Sequence, residues 1–398
     1  MRFSVAFLLS LLAFLVTAVY ASPLSESSVD TATCPSRNFQ VVGYFYGETS
    51  DIPNVQFNKV TILNFAFATP QANGTLEPES GSWDTLVALR AAAAASGSKT
   101  KVVLSIGGWG GSTFFSVIPR SPQLRANFTL TGSSREARER LATPLIPSML
   151  TTCSSWFESF VPLSPRGSLI TAAVSIDPWI RNGTEVTDLS AFARVMNYVY
   201  PMVYDTVGEW TETTGSDSPF SLFRGAINTW TGLGFAPSQV VPGIPFYGKT
   251  FHGVPPTNNG LNQPYNGTVD DGQPYNTQIE VVSGPGWQRH WDTAEKESFW
   301  YNAAEASFTT LPDPRFARQR TRYALRNAGG IMFWAINNDN GDLLNAIHQT
   351  VVRGCIPEST ARGDDDVAVE AQAQRRVPCN EVDCHQRGRN RIFRSQSA

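Results

Sequence analysis

The sequence predicts an α/β fold, a (β/α)8 barrel of the TIM type. From residue 39 onward, short β-rich runs alternate with longer mixed segments, which is typical of βα units around a parallel sheet. Seven predicted strands fall within about 300 residues, and a barrel of this type takes roughly 250 residues plus insertions. A doubly wound sheet would give a similar alternation and is the alternative fold.

The strands and helices follow from these runs in chain order, and several strands end in Gly, Ser or Asp, residues that build loops above strand ends. The barrel is predicted over residues 39–356. A stretch at about 250–328 is too long for a simple loop, so we expect a small α+β subdomain inserted before the last strand. Strands are predicted at 39–46, 59–68, 101–106, 169–175, 195–204, 239–245 and 330–336, and helices at 83–95, 222–233 and 314–328.

Composition excludes two broad classes of protein. The chain has 398 residues, of which 41% are apolar and 16% are charged, and its formal net charge is -3. Disordered chains combine low hydrophobicity with high net charge, which this chain does not. Nothing supplies a basic field for phosphate, so we expect no nucleic-acid partner.

The first residues predict secretion. One positive charge at Arg2 precedes an apolar run over 5–19, and Val19-Tyr20-Ala21 offers a small-residue cleavage pattern. The alternative is a membrane anchor, but the run is shorter than the roughly 20 residues that span a bilayer. We therefore expect a signal peptide at 1–21, a leader at 22–38, and an extracellular protein with no membrane partner. Sequons that would make it a glycoprotein begin at Asn73, Asn127, Asn182 and Asn266.

Five cysteines remain after such a cleavage, an odd number that leaves one thiol free or intermolecular. A bridge between Cys34 and Cys355 would join the ends of the folded region, but the sequence alone assigns no pairing. Cys379, Cys384 and His385 fall short of the four ligands of a structural metal site. We expect no metal and no cofactor. Residues 357–398 are polar and rich in charge, and they predict a disordered tail.

Four strand ends carry groups that could bind a ligand. The first is Ser105-Ile106-Gly107-Gly108-Trp109, whose two glycines allow the backbone to approach a neighbouring group closely. The second is Met202-Val203-Tyr204-Asp205, which ends in a phenol and a carboxylate. The segments 245–249 and 332–334 add aromatic side chains. Each alone is consistent with a core strand or a helix cap. Together they converge on the face where barrels place their sites, and aromatic platforms with few charges suit an uncharged ring such as a sugar.

The order of these motifs resembles the glycoside hydrolase family 18 chitinases, in the branch with an insertion before the last strand. The resemblance rests on Gly43-Tyr44-Phe45, Asn64-Phe65-Ala66-Phe67, the Ser-x-Gly-Gly element, Met-x-Tyr-Asp and the final Trp334. In that family a Glu on the fourth barrel strand protonates the glycosidic oxygen, and the substrate's own N-acetyl carbonyl attacks the anomeric carbon. The resemblance implies that Tyr204 and Asp205 hold the acetamido group, that Trp334 lies under the sugar and that Trp109 stacks on a neighbouring sugar. Lys249 stands where the family usually has Arg. The residues that would line the pocket are Tyr44, Phe67, Gly108, Met202 and Tyr247.

The family's Asp-x-x-Asp-x-Asp-x-Glu motif is missing. It should fall between Gly111 and Leu169, yet no Asp occurs between Asp84 and Asp177. The segment from residue 141 to 163 holds three prolines and is a poor parallel strand. We therefore expect the fourth strand to be irregular or disrupted. A mis-joined exon or a shifted reading frame would produce such a segment between intact flanks. The acids within the window are Glu136, Glu139 and Glu158.

The sequence thus predicts a monomeric, secreted protein of chitinase descent whose partner is chitin or a chito-oligosaccharide. Losing the general acid removes typically 10²–10⁴-fold of rate, so the chain as printed is expected to be inactive. One alternative is a lectin-like pseudo-enzyme that binds N-acetylglucosamine oligomers. The other is a hydrolase with relocated acids, using Asp205 with Glu158 or Glu209.

Overall fold

The computed structural model describes residues 38–354, apart from residues 80, 109, 112, 115, 116, 119, 120, 134–145, 148–168 and 182. The predicted signal peptide, the leader up to residue 37, the predicted tail and all five cysteines lie outside these residues. Strands in chain order are β1 Gln40–Phe45, β2 Ile62–Pro70, β3 Leu76–Pro78, β4 Lys101–Ile106, β5 Ile146–Pro147, β6 Thr171–Val174, β7 Ile180–Arg181, β8 Thr184–Glu185, β9 Tyr198–Pro201, β10 Gly243–Pro245, β11 Tyr247–His252, β12 Val269–Pro274, β13 Trp287–Asp292, β14 Glu297–Asn302, β15 Ser307–Thr310 and β16 Gly330–Trp334. Helices are α1 Trp83–Ala95, α2 Pro122–Ser133, α3 Ser190–Ala193, α4 Phe220–Gly232, α5 Tyr275–Val282, α6 Pro314–Asn327 and α7 Asp342–Arg353.

The parallel strands follow one another around a TIM-type barrel, as the sequence predicts. One sheet runs in the order β10-β16-β1-β2-β4-β5, and β6 pairs with β9 in a second parallel ladder. Parallel bridges from Val199 to Val240 and from Met202 to Gly243 connect β9 with the segment that leads into β10. Strand β5 lies beside β6 and completes the order. The carboxyl ends of these strands meet at one face, where barrels of this kind place their sites.

The fourth barrel position holds β5, of which the structure describes two residues. The pairing sets Ile146 beside Ser105 and Pro147 beside Ile106. The residues on either side, 134–145 and 148–168, lie outside the described residues, so the irregularity predicted for this strand stays a prediction.

The helices that flank the barrel begin at well-defined caps. The Ser82 hydroxyl accepts a hydrogen bond from the backbone N–H of Thr85, and α1 then spans the residues predicted from the sequence. Asp313 caps α6 through the N–H of Phe316, and Pro314 occupies the first helical position. Leu86 and Leu89 are among the residues that α1 buries against the barrel. None of the described helices is long and apolar enough to cross a membrane.

An antiparallel sheet and the helix α5 follow β10, and the barrel helix α6 then leads into the last barrel strand. The sheet runs in the order β12-β11-β15-β14-β13, and α5 follows β12 directly. Its side chains form an apolar cluster separate from the core around the barrel. Sequence positions 247–310 therefore build a second layer with its own packing, as expected for an inserted α+β unit. The residues of this cluster are Phe251, Val254, Leu261, Phe299, Tyr301 and Phe308.

Candidate functional site

Four aromatic side chains meet at the carboxyl end of the barrel. The ring of Trp334 lies 5.4 Å from the Tyr44 ring and 5.6 Å from the Tyr46 ring. It also stacks on Phe67, with ring centroids 5.4 Å apart and planes 12° apart. The parallel pairing of β16 with β1, and of β1 with β2, brings these residues together. We call Tyr44, Tyr46, Phe67 and Trp334 the aromatic floor, because they offer an apolar surface on which an uncharged ring can stack.

Gly108 supports this floor through its backbone. Its φ is +91°, a conformation that favours glycine, and an added Cβ would lie 2.8 Å from the Phe67 ring. The close approach predicted for the glycine pair is therefore an approach to Phe67. Trp109, which follows it, lies outside the described residues.

Polar groups lie beside the floor, after β9 and on β11. Asp205 has a φ of 59°, and its Oδ1 accepts hydrogen bonds from the Tyr247 hydroxyl at 2.6 Å and from the Lys249 Nζ at 2.8 Å. Residues held in such sparsely populated conformations cluster at functional sites. The Tyr204 ring packs edge-on against the Tyr247 ring, with ring centroids 6.0 Å apart. Met202 forms a parallel β-bridge with Gly243 on β10. Burial raises the pKa of Tyr204, so its hydroxyl stays protonated and can donate.

Lys249 is enclosed beneath this polar side. Its side chain is fully buried, and its Nζ lies 2.8 Å from Asp205, 3.5 Å from Asp217 and 3.1 Å from Asp271. Burial lowers the pKa of Lys249, but the carboxylates raise it by more, so that the net pKa is above its ordinary value. The ammonium therefore remains charged and holds the Asp205 carboxylate in place through its hydrogen bond to Oδ1. The Asp205 side chain is 48% exposed and can still reach a ligand.

Two further buried acids, Asp217 and Glu297, lie near Lys249, and no motif in the sequence indicates either of them. Asp217 is 1% exposed, and burial raises its pKa to about 8, even though Lys249 opposes the shift. Neither of its carboxyl oxygens forms a hydrogen bond of normal geometry with a described group. Burial also raises the pKa of Glu297 to about 7, although Thr310 donates to its Oε1 at 2.9 Å. The buried guanidinium of Arg320 lowers the pKa of Glu297 and partly offsets the effect of burial.

Replacing Asp217 with asparagine should stabilise the protein at alkaline pH. The pKa of Asp217 in the folded protein, about 8, lies above the value near 3.9 of an unfolded chain. The folded state binds this proton more tightly, so stability falls as pH rises from about 4 to about 8. We expect the variant's gain in unfolding free energy to be larger near pH 8 than near pH 5 by up to about 4 kcal/mol, because each pH unit in this window contributes about 1.4 kcal/mol. Denaturant titrations at the two pH values measure this, and a gain of equal size at both would contradict the assignment.

The comparison with known families decides what this site belongs to. The family model for glycosyl hydrolases family 18 matches residues 40–131 and 155–339. The chain belongs to glycosyl hydrolase family 18. The match includes the aromatic floor, Asp205 and the insertion, and it leaves out residues 132–154, which include β5.

Relatives and solved structures agree with this assignment. The chain is 23% identical over 378 residues to a chitinase-like effector of Moniliophthora perniciosa, covering 78% of this chain and 86% of that protein. It is 28% identical over 246 residues to a chitinase-like effector of Moniliophthora roreri, covering 52% of this chain and 58% of the relative. The fold is similar to the crystal structure of a GH18 chitinase from Cycas revoluta in complex with (GlcNAc)3, with a TM-score of 0.67 and 22% identity over 78% of this chain and 99% of that one.

The interior of this family 18 barrel holds polar groups without partners. Burial raises the pKa values of Tyr44 and Tyr200, while the hydroxyl of Ser105 lowers that of Tyr44 and the hydroxyl of Thr171 lowers that of Tyr200. Each of these hydroxyls therefore faces a phenol, although no hydrogen bond of normal geometry joins them. Leaving a buried polar group unpaired costs about 1–3 kcal/mol. We define the unpaired polar cluster as the residues whose buried side-chain atoms lack a hydrogen-bond partner among the described residues of these strands: Tyr44, Asn64, Ser105, Thr171 and Tyr200.

The remaining candidate acids are not brought to the floor by the described structure. Glu136, Glu139 and Glu158 lie outside the described residues, and Glu209 is exposed in the loop after β9. Within the part of the chain that is described, no group of three or more His, Cys, Asp or Glu residues is arranged to hold a metal ion. The site therefore consists of the aromatic floor, the polar group around Asp205, and the unpaired polar cluster below them.

Proposed function

We propose that this chain is a secreted family 18 protein that binds chitin or chito-oligosaccharides at the mouth of its barrel without hydrolysing them. The observation that carries the proposal is the aromatic floor beside Asp205, whose carboxylate is fixed by Tyr247 and Lys249. An apolar platform next to fixed polar groups suits a sugar ring, which has apolar faces and a polar edge. The Tyr204 hydroxyl and the Asp205 carboxylate would then bind an acetamido group.

The lack of hydrolysis follows from the missing acid. No aspartate occurs from residue 85 to residue 176, and the family match is interrupted at 132–154, where the acidic fourth strand belongs. A general acid contributes typically 10²–10⁴-fold to the rate. Two relatives are described as chitinase-like effectors, which supports a role other than digestion of chitin.

A second candidate is an ordinary chitinase whose fourth strand is misrepresented in the printed sequence. The unpaired polar cluster favours it, because two of its members, Ser105 on β4 and Thr171 on β6, lie on the strands beside β5 and could pair with carboxylates there. Sequencing the messenger RNA from the codon of Ser105 to that of Thr171 separates the two candidates. An Asp-x-Asp-x-Glu strand in the transcript would make hydrolysis the function of the gene, whereas the printed residues would leave binding as the function.

The binding proposal is tested by comparing two tetrasaccharides that differ in the acetamido group. We expect calorimetry to show saturable binding of chitotetraose and much weaker binding of cellotetraose. Tyr204→Phe should weaken chitotetraose binding several-fold, since one hydrogen bond contributes about 0.5–1.5 kcal/mol. Tyr323→Phe, on α6, is the matched control and should bind like the wild type. Equal affinity of the wild type for both sugars, or no binding of either, would overturn the proposal.

A further inference from the structure

Tyr46 forms the outer edge of the aromatic floor, and no sequence motif drew attention to it. Tyr46 is 39% exposed, whereas Tyr44, two residues earlier, is 2% exposed. Its ring lies 5.6 Å from the Trp334 ring at an angle of 40°, and 6.2 Å from the Phe67 ring at an angle of 51°. The floor therefore continues past Trp334 with a second accessible ring that is inclined to the first.

The backbone of Tyr46 is tied to the loop that follows the last barrel strand. Its N–H donates to Oδ1 of Asn337 at 3.2 Å, and Nδ2 of Asn337 donates back to its carbonyl at 2.8 Å. Asn276, at the start of α5, donates to the carbonyl of Asn337 at 3.2 Å. Because Asn337 lies three residues after Trp334, this pair of hydrogen bonds fixes the backbone of Tyr46 relative to the loop that follows Trp334. A backbone held in this way loses less conformational entropy when the segment binds a ligand.

We infer that Tyr46 is a separate sugar subsite, which stacks on the pyranose ring next to the one on Trp334 and so favours longer chito-oligosaccharides. The inference rests on the proposed function, because it extends the same groove. Tyr46 directly adjoins Trp334 and is exposed, so a chain with one ring stacked on Trp334 can place its neighbouring ring over Tyr46. A tyrosine suits this position, since its ring is apolar and its hydroxyl tolerates water.

The test is the dependence of affinity on oligomer length. Calorimetry with the dimer, trimer and hexamer of N-acetylglucosamine is carried out on the wild type, Tyr46→Ala, Tyr46→Phe and Trp334→Ala. We expect Tyr46→Ala to lose about tenfold in affinity for the hexamer and little for the shortest oligomer bound, and Tyr46→Phe to retain most of the affinity. Trp334→Ala should lose affinity at every length.

Two results would overturn the subsite. One is unchanged affinity of Tyr46→Ala for the hexamer. The other is an equal loss at every length, which would mean that Tyr46 only supports Trp334. Failure of the proposed function looks different, because the wild type itself would then bind none of the oligomers. Thermal unfolding of Tyr46→Ala checks that the barrel is intact, and the exposure of the ring predicts a small change.

Discussion

Replacing Trp334 with alanine is expected to cause the largest loss of affinity for chito-oligosaccharides. Trp334 contacts all three other members of the aromatic floor, with ring centroids 5.4–5.6 Å away. Aromatic anchors at the centre of a binding surface contribute 2 kcal/mol or more on truncation. We expect the dissociation constant for chitotetraose to rise by roughly 100-fold, as measured by calorimetry.

The control for this variant is Val281→Ala, a truncation on α5 at a side chain that is 53% exposed. It should bind chitotetraose like the wild type. Trp334→Phe keeps an aromatic ring and should give an intermediate affinity. If Trp334→Ala bound chitotetraose with wild-type affinity, the aromatic floor would not be the binding surface.

Replacing Lys249 with methionine is expected to cause the largest loss of stability. The side chain of Lys249 is fully buried, and it is the cation next to Asp217, whose side chain is 2% exposed. Removing one partner of a buried pair leaves a charge without compensation, which costs about 3–5 kcal/mol. We expect a loss of about 3 kcal/mol in the free energy of unfolding near pH 8, where the unfolded state favours a charged Asp217.

Two further variants separate charge from packing. Lys249→Arg keeps the positive charge and should lose less than Lys249→Met. Lys249→Met combined with Asp217→Asn removes both charges and should recover most of the stability. The loss in Lys249→Met should also be smaller near pH 5, because Asp217 is already protonated there in the folded protein. A double variant as unstable as Lys249→Met alone would show that the lysine acts through packing.

Much of the barrel could be predicted because its signals are local. The predicted helix at 83–95 matches α1, since Ser82 and the apolar spacing after it define its start and buried face. The predicted strands at 101–106 and 330–336 correspond to β4 and β16, which are short apolar runs. Strand ends were less accurate. The strand predicted at 195–204 spans only Tyr198–Pro201, because the residues on either side of it are mostly apolar as well and extend the apolar run.

The charge network behind the site could not be predicted, because it depends on contacts between distant segments. Asp217 and Thr310 are 93 residues apart in the chain, and nothing in the sequence around either indicates burial. Lys249 was recognised as a replacement for the family's arginine, but its complete burial depends on the packing of the insertion against the barrel mouth. Tyr46 was part of a predicted strand, and its role depends on the hydrogen bonds from Asn337.

The measurement that tests the account most directly is prolonged incubation of the wild type, at high concentration, with chitotetraose labelled at its reducing end. Calorimetry on the same sample establishes how much of the sugar is bound, and chromatography follows any cleavage over several days. The account predicts saturable binding with no labelled product. Release of shorter oligomers that Asp205→Ala abolishes would contradict it, and would show that this barrel hydrolyses chitin with acids outside the family motif.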